Sequence, residues 1–199
     1  MSLHGAEWVL AVERAYVSAA TSKRRVMVAD GHADRTRALA AIGAVASHYL
    51  AVASPRSLGL VVDADTLEAG ALSLEAHRTW FAPIDIRCHR SDPATTNTVE
   101  GANTVIDGAR ATTLAEALAC DIVCIHVPIA IPNWSIRRAT HINVLAQMSL
   151  PDELASVAAI SREVPGLGAL AAGFVDGRQL DEITVFLAGD AAIALEALA

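Results

Sequence analysis

The feature that most constrains how this chain can fold is a set of short, unbroken apolar runs separated by sequence of helical character. The runs are Ser57-Leu58-Gly59-Leu60-Val61-Val62, Asp121-Ile122-Val123-Cys124-Ile125-His126-Val127 and His141-Ile142-Asn143-Val144-Leu145-Ala146. A strand with one wet face alternates apolar and polar residues. Runs that stay apolar on successive positions predict strands buried on both faces, as in a parallel sheet with a helix layer on each side.

The intervening segments fit that scheme. Helical spacing covers Arg35 to Ala53, an Ala-rich stretch ending before Pro55, then Ala69 to Trp80 and Thr113 to Ala119. Further strands are expected at Ile84 to Cys88, Thr104 to Ile106 and Glu182 to Phe186, with a final helix from Ala191 to Leu198. Near the start, Trp8, Val12, Ala15, Tyr16 and Ala19 share one helical face, and Val26 to Ala29 reads as a short strand closed by the turn pair Asp30-Gly31. Strands alternating with helices give the α/β class: a Rossmann-like parallel sheet with helices on both faces, plus a short N-terminal helical segment. The expected division is 1–55 as a reduced N-terminal helical and dimerisation segment and 56–199 as the Rossmann-like domain with its closing strand and helix.

Composition narrows the classes. Hydrophobic residues make up 53% of the 199 positions and charged residues 19%, which excludes a disordered chain. Ala supplies 41 positions and aromatics only 4%, so the apolar excess is in small side chains suited to close helix-on-sheet packing. The net charge of −7, without a long Lys/Arg tract, argues against nucleic acid as partner. No apolar run reaches membrane-spanning length, and the first residues lack the layout of a signal peptide. Cys88, Cys120 and Cys124 form no CxxC pair and suit reduced core thiols, so the expected location is the cytoplasm. No pair of histidines has HxH or HxxxH spacing, so no metal site is expected.

Several segments together resemble the ornithine cyclodeaminase/mu-crystallin family. Arg56 to Val61 is similar to its first strand, and Thr140-His141-Ile142-Asn143 to its GTHIN segment. Gly177 to Phe186 (GRQLDEITVF) is similar to its GR-x-x-x-EITxF ending, and the stretch from Leu154 through Arg162-Glu163-Val164 to the segment between them. Val9 to Tyr16 resembles the opening helix and Asp30-Gly31 the turn before an Arg-containing helix. The resemblance implies a dimer with an NAD(P)-binding domain, acting on amino acids, imines and cyclic amino acids or binding small molecules together with the nucleotide.

The departures carry more information. Opening helix and Asp30-Gly31 are only about a dozen residues apart, where the family has a long segment that builds its substrate and dimer domain and grips the amino acid with a lysine and an arginine. The turn after the first strand reads Asp63-Ala64-Asp65-Thr66, with no glycine where the family's GxG turn lets backbone approach a pyrophosphate. Two unit charges about 5 Å apart at an effective dielectric of about 20 repel by roughly 3 kcal/mol, about a hundredfold in affinity. Asp65-x-x-Glu68 reads instead as a helix capping box, with an unusual, metal-assisted nucleotide contact as the other reading. After the GTHIN-like segment, Gln147 stands nearest the family's catalytic Asp, and an amide cannot exchange a proton at neutral pH.

The candidate site is therefore a degenerate cofactor-binding turn at Asp63, Ala64 and Asp65 with His126 beside it. Ligand-binding candidates are Arg35, Arg37, His141, Asn143 and Gln147. Each has a structural reading: His126 as a hydrogen-bonded core histidine, His141 and Asn143 as loop-fixing residues, Arg35 and Arg37 as a solvated helix end. Arg137-Arg138 is either an anionic-ligand rim or a surface pair. The uncovered apolar faces expected for the N-terminal helices and the Ala-rich stretch 38–52 predict a symmetric homodimer. Two functions follow: a small-molecule-binding or scaffolding dimer with weak or lost NAD(P) binding and no cyclodeaminase activity, or an NAD(P)-dependent oxidoreductase on an amino or imino acid.

Overall fold

The fold is taken from a computed structural model, which describes residues 10, 14, 32–82, 85–91, 106–132, 135–162, 168–173 and 181–188. The opening helix (apart from residues 10 and 14), the Val26 to Ala29 strand, Asp30-Gly31, Thr104-Val105, the first part of the GRQLDEITVF ending and the final helix lie outside the described residues.

Within them, α1 (His32–Leu50) precedes β1 (Ser57–Val62), α2 (Leu67–His77), β2 (Asp85–Arg90), β3 (Arg110–Ala111), α3 (Leu114–Leu118) and β4 (Ile122–Ile125). Then come β5 (His141–Val144), α4 (Asp152–Val157), β6 (Ala158–Arg162), α5 (Gly168–Ala171) and β7 (Ile183–Leu187). The seven strands form one sheet in the order β3-β2-β1-β4-β5-β7-β6, with every neighbouring pair parallel. The expected Rossmann-like α/β architecture is the one observed.

The apolar runs are buried on both faces because successive side chains go to opposite layers. Leu58, Leu60, Val62, Ile122, Cys124 and Phe186 pack into one core with α1 and α2. Val61, Val123, Ile125, Ile142, Val144 and Val185 form the other with Ala117 and Leu118 of α3. Two glycines make the layers close. A Cβ on Gly59 would lie 2.1 Å from the Ala117 carbonyl oxygen, so α3 crosses β1 backbone on backbone. A Cβ on Gly70 would lie 2.7 Å from Val62 Cγ1 and 3.0 Å from Ile106 Cδ1, which seats α2 on the end of β1.

Three sequence expectations are corrected. The edge strand next to β2 is Arg110–Ala111, while Ile106, expected to end a strand, is a buried residue packed against Gly70. Ala158–Arg162 is a strand that the sequence reading did not place; as an edge strand with Ile160 its one large apolar residue, it lacks the long apolar run that marks the central strands. The Ala-rich stretch does not leave an open face: Ala38, Ala40, Ala41, Ala44 and Ala46 are all at most 1% exposed, because α1 packs against the sheet and α2 within the chain.

The three cysteines are free and buried, and burial raises the thiols of Cys88 and Cys120 to about 11 and that of Cys124 to about 12, as inert core thiols require. Among the described residues no helix is long and apolar enough to cross a membrane.

Candidate functional site

The strand order places β2 and β3 on one side of β1, and β4, β5, β7 and β6 on the other. The connections diverge between β1 and β4, and in open parallel sheets that divergence leaves a crevice beyond the carboxyl ends. Asp63 to Thr66 follow β1 there, His126 follows β4 and Gln147 lies just past β5. α1 runs against the strands. Its last residue, Leu50, accepts a bond from Thr184 near the start of β7, while Gly43 faces Leu145 past the end of β5. Its first turns, with Arg35 exposed and Arg37 half-buried, therefore rise toward the carboxyl edge. Topology thus gathers Asp63, Ala64, Asp65, His126, Gln147, Arg35 and Arg37 at one edge of the sheet.

The β1–α2 turn is closed by its own carboxylate. Asp63 Oδ1 accepts from the amides of Asp65 (3.0 Å) and Thr66 (2.9 Å) and from the Thr66 hydroxyl (2.7 Å). The Asp63 amide donates in return to Thr66 Oγ1 at 2.9 Å. Partial burial alone would raise the Asp63 carboxyl, but the bonds from Thr66 and Asp65 outweigh it and hold the group below its usual range. The expected Asp65–Glu68 capping box is not formed. Thr66 is the N-cap, its φ of −106° and ψ of 8° turn its hydroxyl away from the helix amides, and Asp65 is exposed. Asp63 takes over because a carboxylate bonds readily to amides two and three residues ahead in an Asx turn.

His126 is half-buried beside the end of β1, where its amide donates to Val61 O at 2.9 Å. Its ring Nε2 is buried without a hydrogen-bond partner among the described residues. Burial, followed by the nearby His77, pushes the imidazole down to about 4, so the ring is neutral at pH 7. Gln147 is exposed.

His141 and Asn143 lie elsewhere, fully buried under α1. His141 Nε2 donates to Asn143 Oδ1 (3.1 Å), because an amide oxygen can only accept, and its Nδ1 meets Thr184 Oγ1 at 2.9 Å. Asn143 Nδ2 donates to Ser47 Oγ at 2.8 Å and approaches Cys124 Sγ at 3.6 Å. Ser47 Oγ lies 2.9 Å from His77 Nε2, whose Nδ1–H donates to Ser73 O at 2.7 Å. Burial drives His77 down to about 4, so its Nε2 is an acceptor for the Ser47 hydroxyl. One polar chain thus runs from Leu50 O through Thr184, His141, Asn143, Ser47 and His77 to Ser73 O, joining α1, α2, β5 and β7.

Arg137 and Arg138 are exposed in the turn leading into β5, at the amino edge of the sheet, which removes them from a rim around the crevice. Among the described residues no group of three or more His, Cys, Asp or Glu is placed to hold a metal. Sequence reading overlooked Ser47, Ser73, His77 and Thr184. Ser73-x-x-x-His77, a polar pair one turn apart on one face of the helix, was the available signal.

No protein-family model matches the sequence, and no curated protein matches it significantly. Solved structures do resemble it. An archaeal alanine dehydrogenase dimer with bound NAD superposes at a TM-score of 0.68 with 18% identity, over 98% of this chain and 90% of that one. The Δ1-pyrroline-2-carboxylate reductase of Thermococcus litoralis, solved with NADH and L-proline, gives 0.69 and 14% over 98% and 92%. A lysine cyclodeaminase that recognises L-lysine, L-ornithine and L-2,4-diaminobutyric acid gives 0.62 and 22% over 85% of this chain, which spans 59% of that protein. The likeness establishes the shared fold. It falls on the same group of proteins as the resemblance read from the sequence.

Proposed function

We propose that this chain is a divergent, shortened relative of the ornithine cyclodeaminase and alanine dehydrogenase group that binds a small molecule in the β1–β4 crevice and has weak or lost dinucleotide affinity. The observation carrying this reading is the Asp63 carboxylate on the two turn amides. In dinucleotide-binding folds those amides face a pyrophosphate. Here they already bond an anion, and an incoming phosphate would have to displace Asp63 while meeting its charge and that of Asp65. The residues of the turn do not suit a pyrophosphate.

Gln147 in place of a titrating carboxyl supports the absence of cyclodeaminase chemistry, since an amide neither gains nor gives up a proton near neutral pH. Arg35 and Arg37 at the start of α1 belong to the same proposed site as ligand contacts. His141 and Asn143 shape it from below by fixing α1. A homodimer, as in the archaeal alanine dehydrogenase, is part of the proposal and is checked by sedimentation at micromolar concentration.

The test is calorimetric titration of NADH and NADPH into the chain and into an Asp63→Gly/Asp65→Ala variant. The expected result is no measurable binding by the native chain and recovered binding by the variant. Tight native binding would refute the reading. It would favour the second one, an NAD(P)-dependent oxidoreductase acting on an amino or imino acid, which draws on the structures solved with NAD or NADH.

A further inference from the structure

Three buried side-chain atoms have no hydrogen-bond partner among the described residues: Ser73 Oγ, Trp80 Nε1 and His126 Nε2. Native folds leave few such atoms, and each calls for a physical explanation. Trp80 stands apart past the end of α2, with its ring 4.0 Å from that of His48. Ser73 and His126 belong together. α2 starts over the end of β1, where Gly70 meets Val62, and runs back so that His77 comes within 3.8 Å of Cys124 Sγ in β4. From Cys124, His126 lies two residues further toward the carboxyl edge on the same sheet face, about 6.6 Å on. From His77, Ser73 lies four residues back along the same direction, about 6 Å. The two orphaned atoms therefore stand at the same depth in the layer between α2 and β4, just inside the crevice.

We propose that Ser73 and His126 form a hydrogen-bonding anchor at the inner end of the crevice for one uncharged polar group of a small ligand, a carboxamide or a hydroxyl. The inference rests on the ligand-binding reading above and specifies what the ligand presents. Ser73 Oγ and His126 Nε2 have no partner in each other or in another described residue, and the proposed ligand group is placed between a hydroxyl that can donate or accept and an imidazole nitrogen. A carboxamide answers both, with its N–H₂ and its oxygen. The described surroundings favour an uncharged group. The buried polar residues of the described chain are Ser47, Ser73, His77, Ser135, Thr140, His141, Asn143 and Thr184, with no Asp, Glu, Lys or Arg among them. A carboxylate or ammonium placed there would find no buried counter-charge among the described residues.

The test uses acetamide, acetate and methylammonium as probes, read through the ring ¹⁵N resonances of His126 in the full chain. Acetamide shifts Nε2 saturably, the two charged probes do not, and Ser73→Ala weakens the acetamide response severalfold. A second measurement is the thermal midpoint without probe. Ser73→Ala raises it, because an unsatisfied buried hydroxyl is removed, whereas a serine held by a permanent water would give a fall. Equal acetamide responses in native and variant chains, equal responses to all three probes, or a lower midpoint in Ser73→Ala each overturn the anchor. None of these depends on nucleotide binding, so the anchor can fail while the crevice reading stands, and the reverse.

Discussion

Replacing Asn143 by Ala tests whether the polar layer under α1 holds the fold. Asn143 is fully buried and makes two hydrogen bonds of ordinary length, to Ser47 at 2.8 Å and from His141 at 3.1 Å, with a weaker contact to Cys124 at 3.6 Å. Truncation takes the Asn143 oxygen away from the His141 Nε2–H in a fully buried layer, at a cost of about 1–3 kcal/mol. Ser47 loses an incoming donor but keeps its own, which costs about 0.5–1.5 kcal/mol. With the small cavity added, the expected loss is about 3–5 kcal/mol, a large share of the 5–15 kcal/mol typical of a domain. For a chain of this size that lowers the thermal midpoint by roughly 6–20 °C. Urea unfolding followed by circular dichroism measures it, and a double-mutant cycle with Ser47→Ala should return a coupling of about 1–2 kcal/mol. A loss below about 1 kcal/mol, or strict additivity with Ser47→Ala, would refute the role of this network. It would return Asn143 to the ligand role suggested by the GTHIN-like segment.

Three other outcomes are expected. Gly59→Ala forces a Cβ to within 2.1 Å of the Ala117 carbonyl oxygen, so α3 must shift off β1; a loss above about 3 kcal/mol in urea unfolding is expected, and a near-neutral variant would disprove the close crossing. His77 and His126, both held at about 4 against 6.5 in the unfolded chain, make stability fall with acid. The unfolded state binds the extra protons, so stability is full above about pH 7 and drops between about pH 6.5 and 4, by up to roughly 3 kcal/mol per pH unit for the two groups; urea midpoints at pH 7.5 and 5.5 check this, His126→Gln should halve the slope, and a flat profile would count against buried neutral rings. Thr113→Ala removes the cap in which Thr113 Oγ1 accepts from the Glu116 amide, for a loss of about 1 kcal/mol by the same unfolding assay.

The central sheet was legible because doubly buried strands leave a signal that polar residues scarcely interrupt: β1, β4, β5 and β7 each fall largely or wholly inside a predicted run. β3 and β6 were not, since edge strands need little apolar surface; Arg110-Ala111 and Ala158 to Arg162 look like loop or helix by composition. The position of the candidate residues in the fold was legible, but not their bonding. Asp63 to Asp65 and His126 do flank the β1–β4 divergence, yet which of two nearby aspartates closes the turn depends on the φ and ψ of Thr66, which no spacing rule encodes. His141 and Asn143 alternate with Ile142 and Val144, so the strand period alone assigns them to one face. What that face touches comes from α1, and Ser47 lies 96 positions away from Asn143 in sequence.

The glycines separate what the sheet requires from what a ligand would require. Gly59 and Gly70 are demanded by contact, because any Cβ there meets backbone or a packed side chain within 3 Å. The Asp63–Asp65 turn makes no such demand. Among the described residues the non-glycine positions with positive φ are Ala139 and Asp181, so Asp63, Ala64 and Asp65 all sit in conformations open to any L-residue. Glycine would be needed there only to admit a phosphate against the backbone. Asp63→Gly therefore distinguishes two reasons for the aspartate. If its carboxylate chiefly occupies the amides that an anion would use, the variant loses only about 1 kcal/mol, as for a lost cap, and gains affinity for NADH. If Asp63 is instead a keystone of the β1–α2 joint, the variant loses several kcal/mol and gains no affinity, and the carboxylate cannot be a stand-in for a displaced phosphate.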